Sequence, residues 1–366
     1  MALLPWDALL ALTPTQRLSR FLLVGAIVSG VASLFLYTGG WFSPRRLTPA
    51  RFIDTFESIN GKRAGFRRNH AKGVGVRGVF DSNGQGARLS KAVVFRPGRV
   101  PVVGRFALAG GMPYGPDAVQ TVRSMALAFR LADGEEWRTG MNALPVFAVS
   151  TPEAFRDQLV AMAQDPATGK PDPARVNAFL ARYPATARAI HRIQAEKPAS
   201  GFESSTYNSL NAFVLTDSRG HSTHVRWSMV PESQAGTPAG TPVPPSANFL
   251  FDALIASVHR QPLRWHLIMT LGGPADPTDD ATIEWPAARE KINFGTLTID
   301  HVESEESSPA RTINFDPLVL PEGMAGSDDP LLSARSATYA ESFRRRVGEH
   351  VSPSAVTSAE VGDETP

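Results

Sequence analysis

The sequence predicts an α+β protein built on an antiparallel β-barrel and preceded by one transmembrane helix. Three observations predict it. Strand-like segments lie on both sides of a helical stretch, so the sheet must close through distant parts of the chain rather than wind doubly around alternating helices. In Leu263 to Leu271 the residues Leu263, Trp265, Leu267, Met269 and Leu271 alternate with Arg264, His266, Ile268 and Thr270, the period of a strand with one buried face. An uncharged run from Phe21 to Phe42 comes before all of this and is long enough to cross a bilayer as a helix.

The N-terminal run follows Arg17 and Arg20 and ends near Trp41, a residue suited to the membrane interface. It lacks a small-residue cleavage signal, which predicts an uncleaved anchor at 21–42, with 1–20 cytoplasmic and the rest exported. Arg45, Arg46 and Arg51 follow the run and weaken the charge bias behind that orientation. From Gly73 to Leu108, three segments (GVGVRGVF, KAVVF and VPVVGRFAL) broken by Asn-Gly and Pro-Gly read as hairpins. Further strands are expected at Ser124 to Leu131 and Leu144 to Val149. Thr151-Pro152 then caps a helix through Ala163, followed by helices at Pro173 to Arg182 and Ala185 to Glu196. Strands return at Asn211 to Leu215, His224 to Val230, Leu263 to Leu271 and Phe294 to His301, with a Pro/Gly/Thr loop at Pro231 to Ser246. Ser304 to Ser308 reads as an acidic loop. Asp329-Pro330 opens a helix to about Val347, and residues 351–366 read as a disordered tail beyond a domain at 43–350.

Composition narrows the chemistry. With 366 residues, 42% of them apolar, the chain can bury a substantial core. It has no Cys, which excludes disulfides, thiolate metal sites and a cysteine nucleophile. The net charge of +2 argues against wholesale nucleic-acid binding. His191, His221, His224, His259, His266, His301 and His350 show no HxxxH or HExxH spacing and read as structural or exposed.

Four segments stand out, in this order: Arg67-x-x-His70-Ala-Lys-Gly, Pro101-Val-Val-Gly-Arg105-Phe106, Asn142 shortly before Pro145-Val-Phe, and Asp329-Pro-Leu-Leu-x-x-Arg335-x-x-x-Tyr339. Arg335 and Tyr339 are four apart on a helix and share a face. Together the segments resemble the haem catalases over roughly Phe52 to Gly348. The sequence lacks the further C-terminal region of full-length catalases, and so looks most like the small catalase-related peroxidases.

The resemblance implies a barrel of the haem catalase type, with a C-terminal haem-ligand helix and haem b as cofactor. His70 and Asn142 then match the distal catalytic pair. Tyr339 matches the ligand of the haem iron, and Arg335 the cation that keeps it a phenolate. Arg67, Arg105 and Arg346 match the arginines that hold the propionates, and Phe155 is a candidate to pack on the haem. The implied activity is reduction of hydrogen peroxide or organic hydroperoxides, with an electron donor as second partner; the N-terminal run separately predicts the inner membrane, with the domain on the periplasmic side, as location. A homo-oligomer is compatible with this reading. Ala107 stands where catalases carry a serine bonded to the distal histidine, which implies that His70 lacks that partner and disfavours dismutation. The alternatives are a true catalase, a haem sensor or carrier, and an anchored barrel for an unrelated apolar ligand.

Overall fold

A computed structural model of the chain describes residues 13–38, 47–232 and 246–362. It divides into two units, 1–48 and 49–366. In the first, helix α1 (Pro14–Thr38) is 25 residues long, has no buried residue and is long and apolar enough to cross a membrane. It starts earlier than the apolar run because Thr13 and Gln16 cap it reciprocally, each side chain bonding the other's backbone N–H, and Pro14 fits the first turn. The last residues of the expected span, with Trp41, and most of the Pro/Gly/Thr loop lie outside the described residues.

The second unit is organised by one antiparallel sheet. Its strands are β1 (Gly73–Ser82), β2 (Gly98–Leu108), β3 (Arg123–Arg130), β4 (Glu136–Asn142), β5 (Tyr207–Asn208), β6 (Phe213–Thr216), β7 (Ser222–Pro231), β8 (Leu263–Leu271), β9 (Lys291–Glu303) and β10 (Met324–Gly326). Pairing runs β7-β5-β4-β3-β2-β1-β9-β8, and β8 returns to β7, which closes an eight-stranded barrel; β6 and β10 extend it beside β7. Closure pairs each of these eight strands on both sides, which leaves β10 as the edge of the extension. Alternation decides what goes inside. Phe106, Met125 and Met141 share one rung, and with Val76, Leu127, Trp227, Trp265 and Leu267 they join the buried core. Trp137 stacks on Phe129 at 4.4 Å and meets Trp227 edge-on at 5.3 Å; such pairs are worth about 0.5–1.5 kcal/mol each beyond the area they bury.

Two expected strands are absent. The segment KAVVF forms a short 3-10 turn at Val93–Phe95 that buries Val94 and Phe95, and Leu144 to Val149 is irregular. In place of the second, the sheet uses β4, whose inward Trp137, Thr139 and Met141 alternate with Glu136, Arg138, Gly140 and Asn142.

Helices α2 (Pro49–Asn60), α3 (Pro152–Ala161), α4 (Pro173–Arg182), α5 (Pro184–Gln194), α6 (Phe249–Arg260) and α7 (Pro330–Val347) cover the barrel. Five of the six, all but α6, begin on proline, whose missing N–H is no loss in a first turn. Thr151 caps α3, Asp172 caps α4 and Asp329 caps α7, its Oδ1 accepting the Leu331 N–H at 2.8 Å. Helix α2 packs against both α3 and α7. The expected disordered tail is instead ordered to Gly362, because it has apolar residues to bury: Val356 and Val361 join the core, and the Val356 carbonyl accepts from the Ser304 hydroxyl at 2.9 Å.

Candidate active site

One cavity of about 1320 Å³, part of it open to solvent, lies on the outer face of the barrel, lined by β2, β3, β4, α2, α3 and α7. All eight residues singled out from the sequence line it: Arg67, His70, Arg105, Asn142, Phe155, Arg335, Tyr339 and Arg346.

Sheet register explains much of this convergence. Gly73, Ala107, Ser124 and Asn142 form one rung across β1 to β4, and Gly75, Arg105, Ala126 and Gly140 form the next such rung on the same face. Small residues on these rungs make room. A Cβ on Gly73 would collide with the Arg105 guanidinium, and one on Gly140 would sit 3.4 Å from Arg335 Nη2 and 3.9 Å from the Tyr339 hydroxyl.

His70 sits where the chain enters β1, with a left-handed backbone (φ 55°), a conformation that costs a non-glycine residue about 1–3 kcal/mol. Several bonds hold it there. Asn69 Oδ1 accepts from the His70 N–H at 3.0 Å and the Gly110 N–H at 2.8 Å, and the His70 carbonyl accepts from Arg105 Nη1 at 2.9 Å. Burial, with Arg105, Arg335 and Arg67 nearby, pushes the imidazole down to about 3, so it is neutral across the physiological range.

The ring does have an orienting partner, contrary to what Ala107 implies. Ser124 Oγ lies 2.9 Å from His70 Nδ1 and donates to Asn142 Oδ1 at 2.6 Å. Ser124 is the direct cross-strand neighbour of Ala107, so the hydroxyl comes from the adjacent strand.

On α7, Arg335 lies over the Tyr339 ring at 5.8 Å. Its guanidinium donates to Asn211 Oδ1 at 2.5 Å and the Gly140 carbonyl at 2.9 Å, and Asn211 Nδ2 in turn donates to Asp329 Oδ2 at 2.7 Å. The cap of α7 and the cation beside its tyrosine are thus one network.

At the other end, Glu305 Oε1 accepts from Arg67 Nη1 at 3.0 Å and from Arg105 Nε at 2.8 Å. In the expected acidic loop Glu305 is buried and Glu306 exposed: burial alone would raise the Glu305 carboxyl, but Arg105 and Arg67 outweigh it and hold it below the ordinary range. Arg67, Arg105 and Arg346 against Glu305 leave an excess of two positive charges. Burial and the neighbouring cations push Arg67 well down and, against the pull of Glu305, Arg346 down to about 10. Among the described residues, buried Arg105 Nη2 has no hydrogen-bond partner. Phe155 packs against Phe52 at 5.5 Å, Phe56 at 6.1 Å and Phe147 at 5.4 Å, forming an apolar wall.

Arg68 staples the segment bearing Arg67 and His70 to the helices. It bonds Glu57 at 2.8 Å and both carboxylate oxygens of Glu349, the nearer at 2.5 Å. Burial opposes ionisation of Glu349, but the bonds from Arg68 and the Gly65 N–H win and draw it down to about 2. A carboxylate depressed on folding stabilises above its unfolded value near 4.5 and loses that contribution as the pH falls towards 2. Thermal unfolding of the full chain between these limits is expected to show the loss, and Glu349→Gln to flatten it while lowering stability at pH 7.

Comparison with known proteins assigns the family. A family model described as catalase matches residues 38–241, and the chain belongs to the catalase family. A protein named catalase-related peroxidase from Synechococcus elongatus is 35% identical over 333 residues, 90% of this chain and 97% of that one. Another of that name, from Mycolicibacterium paratuberculosis, is 30% identical over 82% of this chain and 96% of its own. Among solved structures, a fungal catalase superimposes with a TM-score of 0.69 at 18% identity over 83% of this chain. Catalase A of Saccharomyces cerevisiae gives 0.68 at 18% over 87%. The chain spans 64% of the fungal catalase, and 63% of the length of a Pseudomonas syringae catalase to which it is 25% identical.

Proposed function

We propose that the chain is a membrane-anchored haem peroxidase, with haem b as cofactor, that reduces organic hydroperoxides or hydrogen peroxide with electrons from a separate donor. One observation carries this reading: a single cavity joins a buried neutral histidine, a tyrosine beside a guanidinium, and an arginine cluster with two charges to spare. These residues fit a haem. Its two propionates would match the excess of two, Arg105 Nη2 would be a donor for one of them, and among the described residues Tyr339 is the one cavity-lining side chain able to become an anionic ligand.

When bound, the haem supplies the redox-active iron at which the peroxide O–O bond is cleaved. Arg67, Arg105 and Arg346 would hold its propionates, Tyr339 would ligate the iron, and Arg335 would favour the tyrosinate. His70 would take the proton from one peroxide oxygen and hand it to the departing one, so that water or an alcohol leaves neutral. Asn142 would orient the peroxide, and the wall around Phe155 would keep water out. With two electrons and two protons, ROOH becomes ROH and water.

Helix α1 would hold the protein in the inner membrane as a single span, with Arg17 and Arg20 on the cytoplasmic side and the catalytic unit in the periplasm. Dismutation keeps one observation in its favour: the Ser124 hydroxyl supplies the partner of His70 that Ala107 does not. The purified full chain, supplied with haem, decides between them. Oxidation of a chromogenic donor by a hydroperoxide, exceeding oxygen evolution from hydrogen peroxide, is expected. Dominant oxygen release would make it a catalase, and a coloured protein doing neither would make it a carrier or sensor.

A further inference from the structure

We infer that Ser124 is a positioning residue that fixes which ring nitrogen of His70 is basic and, through the same hydroxyl, which way the Asn142 amide faces. The inference rests on the peroxidase reading and adds to it a residue that sequence patterns did not single out.

A serine hydroxyl has one proton to give. Asn142 Oδ1 cannot donate, so at 2.6 Å from it the Ser124 proton is committed there. Ser124 Oγ can then only accept from His70 Nδ1 at 2.9 Å, which places the ring proton on Nδ1 and leaves the lone pair on Nε2. With its Oδ1 engaged, Asn142 keeps the Nδ2 amide hydrogens as donors. One hydroxyl therefore sets a proton acceptor and a donor at the same cavity. The placement follows from register, since Ser124 stands between Ala107 and Asn142 on one rung, and Ala107 offers no competing hydroxyl.

The ring needs such a hold. His70 has a strained backbone, and bonds from its own peptide groups fix the main chain without determining the tautomer. Ser124 is 8% exposed, so little water can replace its hydroxyl once it is removed.

The test compares the haem-loaded full chain with Ser124→Ala and Ser124→Thr. Two readouts are followed: the first-turnover reaction with hydroperoxide, and the association of hydrogen cyanide, which must surrender its proton to the same base but involves no turnover. Ser124→Ala is expected to load haem normally and to slow both by about 10–100-fold, the usual scale for a group that orients a catalytic ligand. Ser124→Thr, which restores the hydroxyl, is expected to recover most of both rates. Unchanged rates in Ser124→Ala, or a Thr variant as slow as the Ala variant, would overturn the inference, because packing alone would then explain the residue. If the wild-type chain binds cyanide in a Ser124-dependent way but turns over no peroxide, the positioning role stands and the peroxidase reading falls.

Discussion

Tyr339→Phe leaves the cavity with no lining side chain that can become anionic, and the full chain is expected to lose most of its haem. No carboxylate or thiol lines the cavity to take its place among the described residues; the remaining polar lining groups are amides, alcohols, His70 and arginines. Ferric iron favours an anionic oxygen donor, and an unperturbed phenol, with a pKa of about 10, needs a nearby cation to provide one at neutral pH. In the proposed site Arg335, over the ring at 5.8 Å, would face the bound phenolate, and its bonds to Asn211 and Gly140 hold it in place without the phenol. The substitution should therefore leave the cavity walls intact and remove only the ligand. Haem affinity is expected to fall at least about 100-fold, beyond the usual cost of changing a supporting residue around a metal ligand. Haem titration followed by absorbance checks it, alongside the thermal midpoint of the haem-free chain. Equal affinity and an unchanged ferric spectrum would mean that the iron is not held by Tyr339.

The cavity was legible wherever its residues lay in local patterns, and hidden wherever it depended on long-range pairing. Helix α7 matches its expected bounds because Asp329 and Pro330 mark the start without help from the rest of the fold, and spacing alone puts Arg335 and Tyr339 on one face. His70, Asn142 and the arginines were found through their neighbours in sequence. Ser124 was not, since a serine in a strand carries no sign of what the next strands place beside it; its partners are 54 and 18 residues away. Glu305 read only as part of an acidic loop because its reason for being buried, Arg67 and Arg105, lies at least 200 residues earlier. Strand β4 was missed for a related cause: its cavity face carries charge and glycine, so only Trp137, Thr139 and Met141 mark it as a strand. Helix α2, which brings Phe52, Ile53 and Phe56 to the cavity, went unread although those residues repeat at helical spacing.

His70→Ala should separate holding the haem from using it. The residues assigned to haem binding lie on other segments or, like Arg67, point their bonds at Glu305 and at the carbonyls of Ala310 and Ile313, so haem content is expected to be unchanged. The peroxide reaction is expected to fall by about 10²–10⁴-fold, the usual contribution of a positioned acid–base group. The pH dependence then tests the cause. Burial is the largest influence depressing His70, and it persists when propionates offset the arginines; the wild-type rate should show no inflection near the ordinary histidine value of 6.5 as the pH falls. Stability carries the same signature with a definite sign. Below 6.5 the unfolded chain takes up a proton at this position that the folded chain refuses until about 3, so His70 makes the protein progressively less stable across that window. His70→Ala should remove that slope while leaving the one set by Glu349 at lower pH. An acid limb near 6.5 in the wild-type rate, abolished by the substitution, would show instead a histidine that charges freely, and one that could not remain the proton acceptor at mildly acidic pH.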